Sequence, residues 1–246
     1  MILATLLLFL LVKEKKNPET QDKKVSIFTS IKFILGDSEP SALMILLSLL
    51  AWFIAYQGVL PWIGIYGIEY LNLSPGLAPF SSGMVGIAYA VFAIPAGILA
   101  HKIGRKKTIR ICLSGLTIIL ILLFFHHSFS QALHFGPGLK IATFWALLFC
   151  FGIFWGAVTT NSFPMLWQMA DYSTMGIYTG LYYFFSQAAG VIAPILTGFL
   201  RDAFGSRVVF INAALFMIVA FLLMGRVKRG EAEDKPAGES AASQEA

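Results

Sequence analysis

Aromatic and polar side chains share two neighbouring stripes in the apolar segment 176–200. One stripe carries Tyr182 and Ser186, and the other carries Tyr183 and Gln187, each pair four residues apart as on one face of an α-helix. Aromatic ring faces suit the C–H groups of a polyol, and amides and hydroxyls suit its hydroxyl groups. These residue types are typical of a site that binds a neutral, hydroxyl-rich small molecule.

Two other apolar segments carry similar groups. In 42–66, Gln57, Pro61 and Gly64 fall on one helical face, so an amide lies beside a helix break. Within a membrane, such a break is tolerated only where protein or a water-filled cavity satisfies the freed backbone groups. The pattern therefore predicts that this helix lines a cavity. A comparable polar face in 141–163 carries Trp155, Thr159 and Ser162.

Groups for covalent or metal chemistry are sparse. Cys112 and Cys150 both lie inside apolar segments, where cysteine usually packs as a small buried side chain. His126, His127 and His134 lie in or beside one loop, and adjacent residues of a helix cannot face one point. The sequence has no CxxC motif, no Gly-rich phosphate loop and no spacing that joins Ser, His and Asp. We therefore predict neither an enzyme nor a resident metal or cofactor.

The elements that position the polar groups are membrane helices. Hydrophobic residues make up 57% of the 246 residues and charged residues 13%, about half the charged share of a soluble domain. A membrane-spanning helix needs about 20 mostly apolar residues. Stretches without Asp, Glu, Lys or Arg predict an all-α membrane protein with six transmembrane helices; these stretches are 41–68, 71–101, 111–139, 141–170, 172–200 and 208–225.

Basic residues distinguish the two sides of the membrane. The net charge is +5, but the cations sit between apolar segments, so we predict no nucleic-acid partner. If the loop 101–110 is cytoplasmic, alternation of the helices places 15 of the 18 Lys and Arg on that side, and only Lys140, Arg201 and Arg207 on the other. This split predicts a multi-pass protein of the cell membrane, with both ends of the six-helix unit in the cytoplasm.

The charge pattern also divides the chain. Residues 1–12 are apolar, too short to span, and end at a basic run, which indicates the end of a preceding transmembrane helix. Residues 13–40 form a charged cytoplasmic linker, and 41–226 form the six-helix transmembrane unit. Residues 227–246 are rich in Glu, Ala, Ser and Lys and are predicted to be a disordered cytoplasmic tail.

The sequence GILAHKIGRKK at 97–107 resembles the signature loop of the major facilitator superfamily, which lies between the second and third helices of each six-helix half. His101 stands where that family usually has an acid. Cations in such a loop pair with helix C-termini and with acids of neighbouring helices, which latches one conformation. The resemblance implies a gate on the cytoplasmic side formed by Gly97, His101, Gly104, Arg105, Lys106 and Asp171.

Three longer stretches extend the resemblance over most of the chain. The sequence GFLRDAFGSR at 198–207 is similar to the turn between the last two helices of such transporters, with Arg201 and Asp202 in the outer turn. Residues 52–71 and 161–200 resemble bacterial relatives of the sucrose and glycoside–pentoside–hexuronide:cation symporters. The resemblance implies the C-terminal half of a twelve-helix carrier, with a sugar or glycoside bound near the bilayer midplane by Tyr56, Gln57, Trp155, Thr159, Asn161, Tyr183 and Gln187.

Transport by alternating access then requires a second wall, either an N-terminal half or a second copy of this chain. Coupling to H⁺ or Na⁺ usually uses an intramembrane acid, yet positions 57–65, where relatives carry one, have none. The nearest carboxylates are Glu69 and Asp171, at helix ends. Two alternatives remain: a truncated or split-gene fragment without transport activity of its own, and a carrier of another small polar solute.

Overall fold

The computed structural model describes residues 26–36 and 39–230, and all regular structure within these ranges is helical. The predicted end of a preceding helix, 1–12, lies outside the described residues. The described helices are α1 (Ile27–Leu35), α2 (Ser41–Val59), α3 (Ile63–Leu71), α4 (Ala78–Ile103), α5 (Arg105–Ala132), α6 (Pro137–Trp167), α7 (Met175–Phe204) and α8 (Val208–Gly225), with a 3-10 turn at Leu60–Trp62 between α2 and α3.

The prediction of six transmembrane helices is confirmed. Six helical stretches of the described chain are long and apolar enough to cross a membrane, with mean hydropathy from 1.4 to 2.6. The first of them, Ser41–Leu71, comprises α2, the 3-10 turn and α3. Pro61 lies in that turn, as the sequence predicted, because proline lacks the N–H that would continue the α-helical hydrogen bonds.

The helices form one bundle in which α2 packs on α7 and α8, α5 packs on α6 and α8, and α6 packs on α4. Helices α4 and α7 are the least covered. Only 17% and 22% of their apolar windows are buried, against 44% to 56% for the other four spans. Each therefore presents a broad face that no described part of this chain covers. Residues 101–110 and 226–229 lie at one end of the bundle, the basic end; Glu69 lies at the other, the Glu69 end.

Helices α4 and α6 approach closely because α6 carries glycine at the contact. A Cβ built on Gly152 would overlap the Val85 carbonyl oxygen and lie 2.8 Å from the Ala88 Cβ. Small residues at such contacts let helix backbones approach closely within a membrane. At Gly86 of α4, by contrast, no atom lies within 4 Å of a built Cβ, because this glycine faces a cleft between the helices.

The basic end is held together by residues from the predicted linker and tail. Part of the linker forms α1, which contacts α7. Val227 is fully buried, and the backbone N–H groups of Lys228 and Arg229 donate to Ser41 Oγ at 2.9 and 3.3 Å. Gly230 has φ +93° and packs on Met165 and Met169. Residues 227–230 are thus ordered against three helices, and the rest of the predicted tail lies outside the described residues.

Candidate functional site

Four helices enclose an aromatic cleft of about 440 Å³ in the middle of the bundle. Helices α2 and α6 form its floor, and α4 and α7 form its sides. Its lining contains no charged residue and consists of Phe53, Tyr56, Val85, Gly86, Tyr89, Trp155, Thr159 and Tyr182.

Aromatic contacts fix the floor of the cleft. The rings of Tyr56 and Trp155 stack with centroids 4.0 Å apart and planes at 4°. Phe53 meets the edge of Trp155 at 5.4 Å, and Tyr182 meets Phe53 at 6.3 Å. Stacked and edge-on pairs are favourable arrangements of aromatic rings and restrain one another's rotamers. The cleft therefore presents a rigid apolar surface.

Hydroxyl groups are distributed around this surface. Thr159 Oγ1 donates within its own helix, to the carbonyls of Trp155 at 3.0 Å and Gly156 at 3.2 Å, which leaves its lone pairs as acceptors. The Tyr182 hydroxyl lies 3.3 Å from Ser162 Oγ. Within the described chain, the hydroxyls of Tyr56 and Tyr89 have no hydrogen-bond partner. The cleft thus offers both donors and acceptors beside ring faces.

Two predicted amides, those of Gln57 and Gln187, lie near Gly190 of α7. A Cβ built on Gly190 would lie 3.7 Å from Gln57 Nε2 and 4.0 Å from Gln187 Oε1. The absence of a side chain at Gly190 therefore lets an amide of α2 approach an amide of α7. Tyr183, also predicted as a binding residue, is 55% exposed and contacts the Tyr182 ring edge at 5.7 Å. None of these three residues is part of the lining of the cleft.

Asn161 lies elsewhere. Its side chain is buried, and its amide nitrogen donates to the carbonyls of Ala157 at 2.8 Å and Ala96 at 3.5 Å. Asn161 is not part of the lining of this cleft, because its side chain lies in the α4–α6 interface. Of the seven predicted binding residues, only Tyr56, Trp155 and Thr159 line the cleft.

Sequence reasoning missed Phe53 and Tyr89 and did not select Tyr182. Phe53 precedes Gln57 by one helical turn, so the face that predicted a cavity already pointed to it. Tyr182 shares a stripe with Ser186 that the sequence had marked. Nothing in the spacing of α4 separated Tyr89 from lipid-facing aromatics, because α4 has apolar residues on all sides. The position of Tyr89 in the lining follows from the way α6 packs on α4.

The Glu69 end carries the predicted outer turn. Arg201 Nη2 lies 2.8 Å from Glu69 Oε1, and its guanidinium carbon lies 4.8 Å from the centre of the Trp62 ring. Ser206 Oγ donates to the other Glu69 oxygen and accepts from Arg201 Nε at 3.1 Å. Asp202 is 78% exposed and only 3.5 Å from Arg201 Nη1. Glu69 is therefore an ion-paired group that joins α3 to α7, outside the cleft.

The predicted gating loop forms the turn between α4 and α5. Gly104 has φ +91°, a conformation that favours glycine, and its carbonyl accepts from Thr108 Oγ1 at 2.8 Å. Lys106 Nζ donates to the Val227 carbonyl, just beyond the end of α8. This contact joins a loop cation to a helix C-terminus, as the loop chemistry predicted. His101 is exposed, and Gly97 packs on the Thr160 methyl group, 3.7 Å from a built Cβ.

The remaining residues of the predicted gate lie nearby. Arg105 is half-buried at the start of α5, and its Nη1 has no hydrogen-bond partner within the described chain. Asp171 lies in the turn before α7, where its N–H donates to Thr174 Oγ1 at 3.0 Å. Its side chain lines a separate cavity of about 630 Å³ at the basic end, together with Lys32 and Arg229. The gate residues therefore lie at the basic end, but Asp171 and the α4–α5 turn are not in contact through any described bond.

Comparison with known proteins identifies the family. The model of the Major Facilitator Superfamily matches residues 1–194 and, in a second and overlapping match, residues 70–245. The chain belongs to the Major Facilitator Superfamily. No curated protein matches it. The six membrane spans of this Major Facilitator Superfamily protein are consistent with half of the family fold.

Membership fixes the general setting of the cleft. This Major Facilitator Superfamily chain is a multi-pass membrane protein, and members of the family typically transport small molecules rather than catalyse reactions. Ligand sites in secondary transporters lie near the bilayer midplane, between halves of the fold. Tyr56, Trp155 and Tyr182 lie near the middle or in the first half of their spans, so the cleft fits that location.

Proposed function

We propose that this chain forms one wall of a carrier for a sugar or a glycoside, which binds in the aromatic cleft. The single observation that carries this proposal is the uncharged lining, in which the stacked Tyr56 and Trp155 rings lie beside Thr159. A pyranose ring has apolar C–H faces and a rim of hydroxyl groups, so it matches ring faces flanked by hydroxyls and amides. The resemblance of 52–71 and 161–200 to glycoside symporters supports the same class.

The lining argues against a charged substrate in this half. An ion that enters a low-dielectric site without an opposite charge loses hydration that the site cannot replace. Glu69 and Asp171 are the carboxylates that the sequence suggested for ion coupling. In the described chain, both lie outside the cleft, at opposite ends of the bundle. Coupling to H⁺ or Na⁺, which remains part of the proposal, would then depend on a carboxylate supplied by the second wall.

The uncovered sides of α4 and α7 support the existence of that second wall. Tyr183 and Gln187 are exposed near the middle of α7, where lipid would leave their polar groups without hydrogen-bond partners. We propose that an N-terminal half covers these helices and that rocking of the two halves exposes the cleft to each side of the membrane in turn. A second copy of the chain is the alternative occupant, and a fragment that carries nothing is the outcome if neither associates.

Ligand binding to the purified chain in lipid nanodiscs tests the proposal. Trp155 lies in the cleft, so a bound sugar should change its fluorescence, and a panel of disaccharides and aryl glycosides should give saturable titrations. Trp155→Phe should abolish the signal, and Trp145→Phe should leave it, since Trp145 is not part of the lining and donates to Ser81. A folded protein that binds no glycoside, or binds another small polar solute instead, would contradict the sugar assignment.

Uptake into proteoliposomes separates binding from transport. We expect no glycoside uptake by the chain alone. Uptake should occur when the chain is co-expressed with an N-terminal half, because both walls are then present. Analytical ultracentrifugation of the purified chain in detergent distinguishes a monomer from a self-paired dimer. Uptake by a dimer of this chain would replace the N-terminal half by a second copy, and binding without uptake in either case would identify a half that does not transport.

A further inference from the structure

A second pocket lies outside the cleft, on the membrane-facing side of the basic end. It has a volume of about 290 Å³ and lies between the first turns of α5 and the last turns of α8. Its lining combines three cations with two apolar side chains and a hydroxyl: Lys106, Lys107, Arg110, Ile111, Ser114 and Phe221.

The cations of this pocket have no acidic partner among the residues that the structure describes. No carboxylate of the described chain lies within ion-pair distance of Lys106, Lys107 or Arg110. Lys106 Nζ uses one of its three protons on the Val227 carbonyl. Lys107 is exposed. The positive end of the α5 dipole adds to this field, because all three residues lie in its first two turns.

Arg110 links the charged and apolar parts of the pocket. Its guanidinium carbon lies 4.5 Å from the centre of the Phe221 ring, so the ring holds it across from α8. Its Nε is buried and has no hydrogen-bond partner within the described chain. A ligand in the pocket would therefore meet the outer guanidinium nitrogens, Nη1 and Nη2, which are not buried.

The apolar part continues along the lipid-facing surface. Ile111 is 51% exposed, and Ile118, two helical turns further along the same stripe, is 58% exposed. Leu222 of α8 is 62% exposed beside Phe221. The pocket therefore combines a cluster of cations with an exposed apolar stripe of α5 that continues from Ile111 to Ile118.

We propose that this pocket binds an anionic glycerophospholipid. The headgroup phosphate lies among Lys106, Lys107 and the outer guanidinium nitrogens of Arg110, and one acyl chain follows Ile111 and Ile118. Basic pockets between transmembrane helices bind anionic headgroups in this way. The apolar part of the lining favours a lipid over a free phosphate, because a soluble anion would leave Ile111 and Phe221 uncovered. This site is independent of the sugar proposed for the cleft.

Native mass spectrometry of the purified full chain tests the site. Titration with dioleoyl phosphatidylglycerol and dioleoyl phosphatidylcholine should show at least a tenfold preference for phosphatidylglycerol. Each cation near an anionic headgroup contributes about fivefold in affinity, so Lys107→Gln with Arg110→Gln should remove most of that preference. The matched control, Lys102→Gln with Lys228→Gln, removes two exposed charges from the same end but outside the pocket, and should retain it.

Two further arms distinguish the occupants. Ser114→Trp keeps every charge and fills the pocket, so phosphatidylglycerol binding should fall. If the tryptophan variant does not fold, Ile111→Asn, at an exposed position, also keeps every charge and should weaken binding, because it places a polar group where the acyl chain lies. Glycerol 1-phosphate at 10 mM should leave the bound lipid in place. Displacement by glycerol 1-phosphate, equal losses in the pocket variant and its control, or no preference between the two lipids would each overturn the proposal.

Discussion

Tyr56 and Trp155 stack almost in parallel, with ring centroids 4.0 Å apart, although α2 and α6 make few other contacts. The two helices that form the floor of the cleft are thus joined mainly by side chains that also face it. Phe53 and Phe151 add two further ring contacts with the same pair of residues. We therefore expect a ligand that lies against this pair to influence the relative position of α2 and α6.

The Tyr56 hydroxyl is expected to form a hydrogen bond with the ligand and none within the described chain. Tyr56→Phe keeps the stacked ring and removes a hydroxyl that has no partner in the described chain. One lost hydrogen bond of about 0.5–1.5 kcal/mol should weaken glycoside binding about 2- to 12-fold in the fluorescence titration, with no loss of thermal stability. Tyr66→Phe is the control, because that hydroxyl lies outside the cleft, and it should leave the affinity unchanged.

Gly152 is expected to tolerate no side chain. Gly152→Val would drive a branched side chain into the Val85 backbone of α4, and overpacking of this kind costs about 1–3 kcal/mol. Thermal unfolding in detergent measures this destabilisation, and the midpoint should be lower for Gly152→Val. Gly86→Ala serves as the comparison: with no atom within 4 Å of its Cβ, it should unfold at the same temperature or slightly higher. Equal destabilisation by both variants would contradict the packing described here.

Glu69 is expected to act in stability rather than in ion coupling. Its partner Arg201 is only partly exposed, yet such ion pairs contribute about 0–1 kcal/mol, so Glu69→Gln should lower the unfolding free energy by about 1 kcal/mol at most. A double-mutant cycle with Arg201→Gln measures the coupling, and Asp202→Asn should change little. If Glu69→Gln instead removed the dependence of uptake on a cation gradient while stability stayed constant, Glu69 would be the coupling carboxylate after all.

The orientation in the membrane is a prediction from the basic residues. In a background with Cys112 and Cys150 replaced by alanine, His134→Cys should react with a membrane-impermeant maleimide on intact cells. Lys107→Cys should react only after permeabilisation, because the basic end is expected in the cytoplasm. Both positions are exposed, so access to the reagent is comparable. The reverse labelling pattern would invert the topology.

Much of the fold followed from patterns that are local in sequence. Uncharged stretches predicted the six spans, and Pro61 predicted a break, because both depend on a few consecutive residues. The binding residues were predicted less well. Trp155 was found because it lies on a polar face of its own helix, and Tyr56 came from the family resemblance, whereas the burial of Asn161 depends on how α6 packs against α4.

Long-range pairings were beyond the reach of the sequence. Nothing in the spacing of Glu69 and Arg201 indicates that they meet across 132 residues, so Glu69 read only as a helix-end charge. The cluster of Lys107, Arg110 and Phe221 also joins residues that are far apart in the sequence, since Phe221 comes from α8 and the two cations come from α5. Such sites are set by which helix faces meet, and helices that are apolar on all sides leave that choice open.

The contacts of residues 227–230 determine which helices carry a mechanical force that is applied to the C-terminal end of the chain. A force applied beyond Gly230 passes to α2 through Ser41, to α5 through Lys106 and to α6 through Met165 and Met169. The load is therefore shared by three helices before α8 begins to unwind. A chain cut after 230 should keep this anchorage, whereas a chain cut after 226 would leave α8 to be extracted from the bilayer as a single helix.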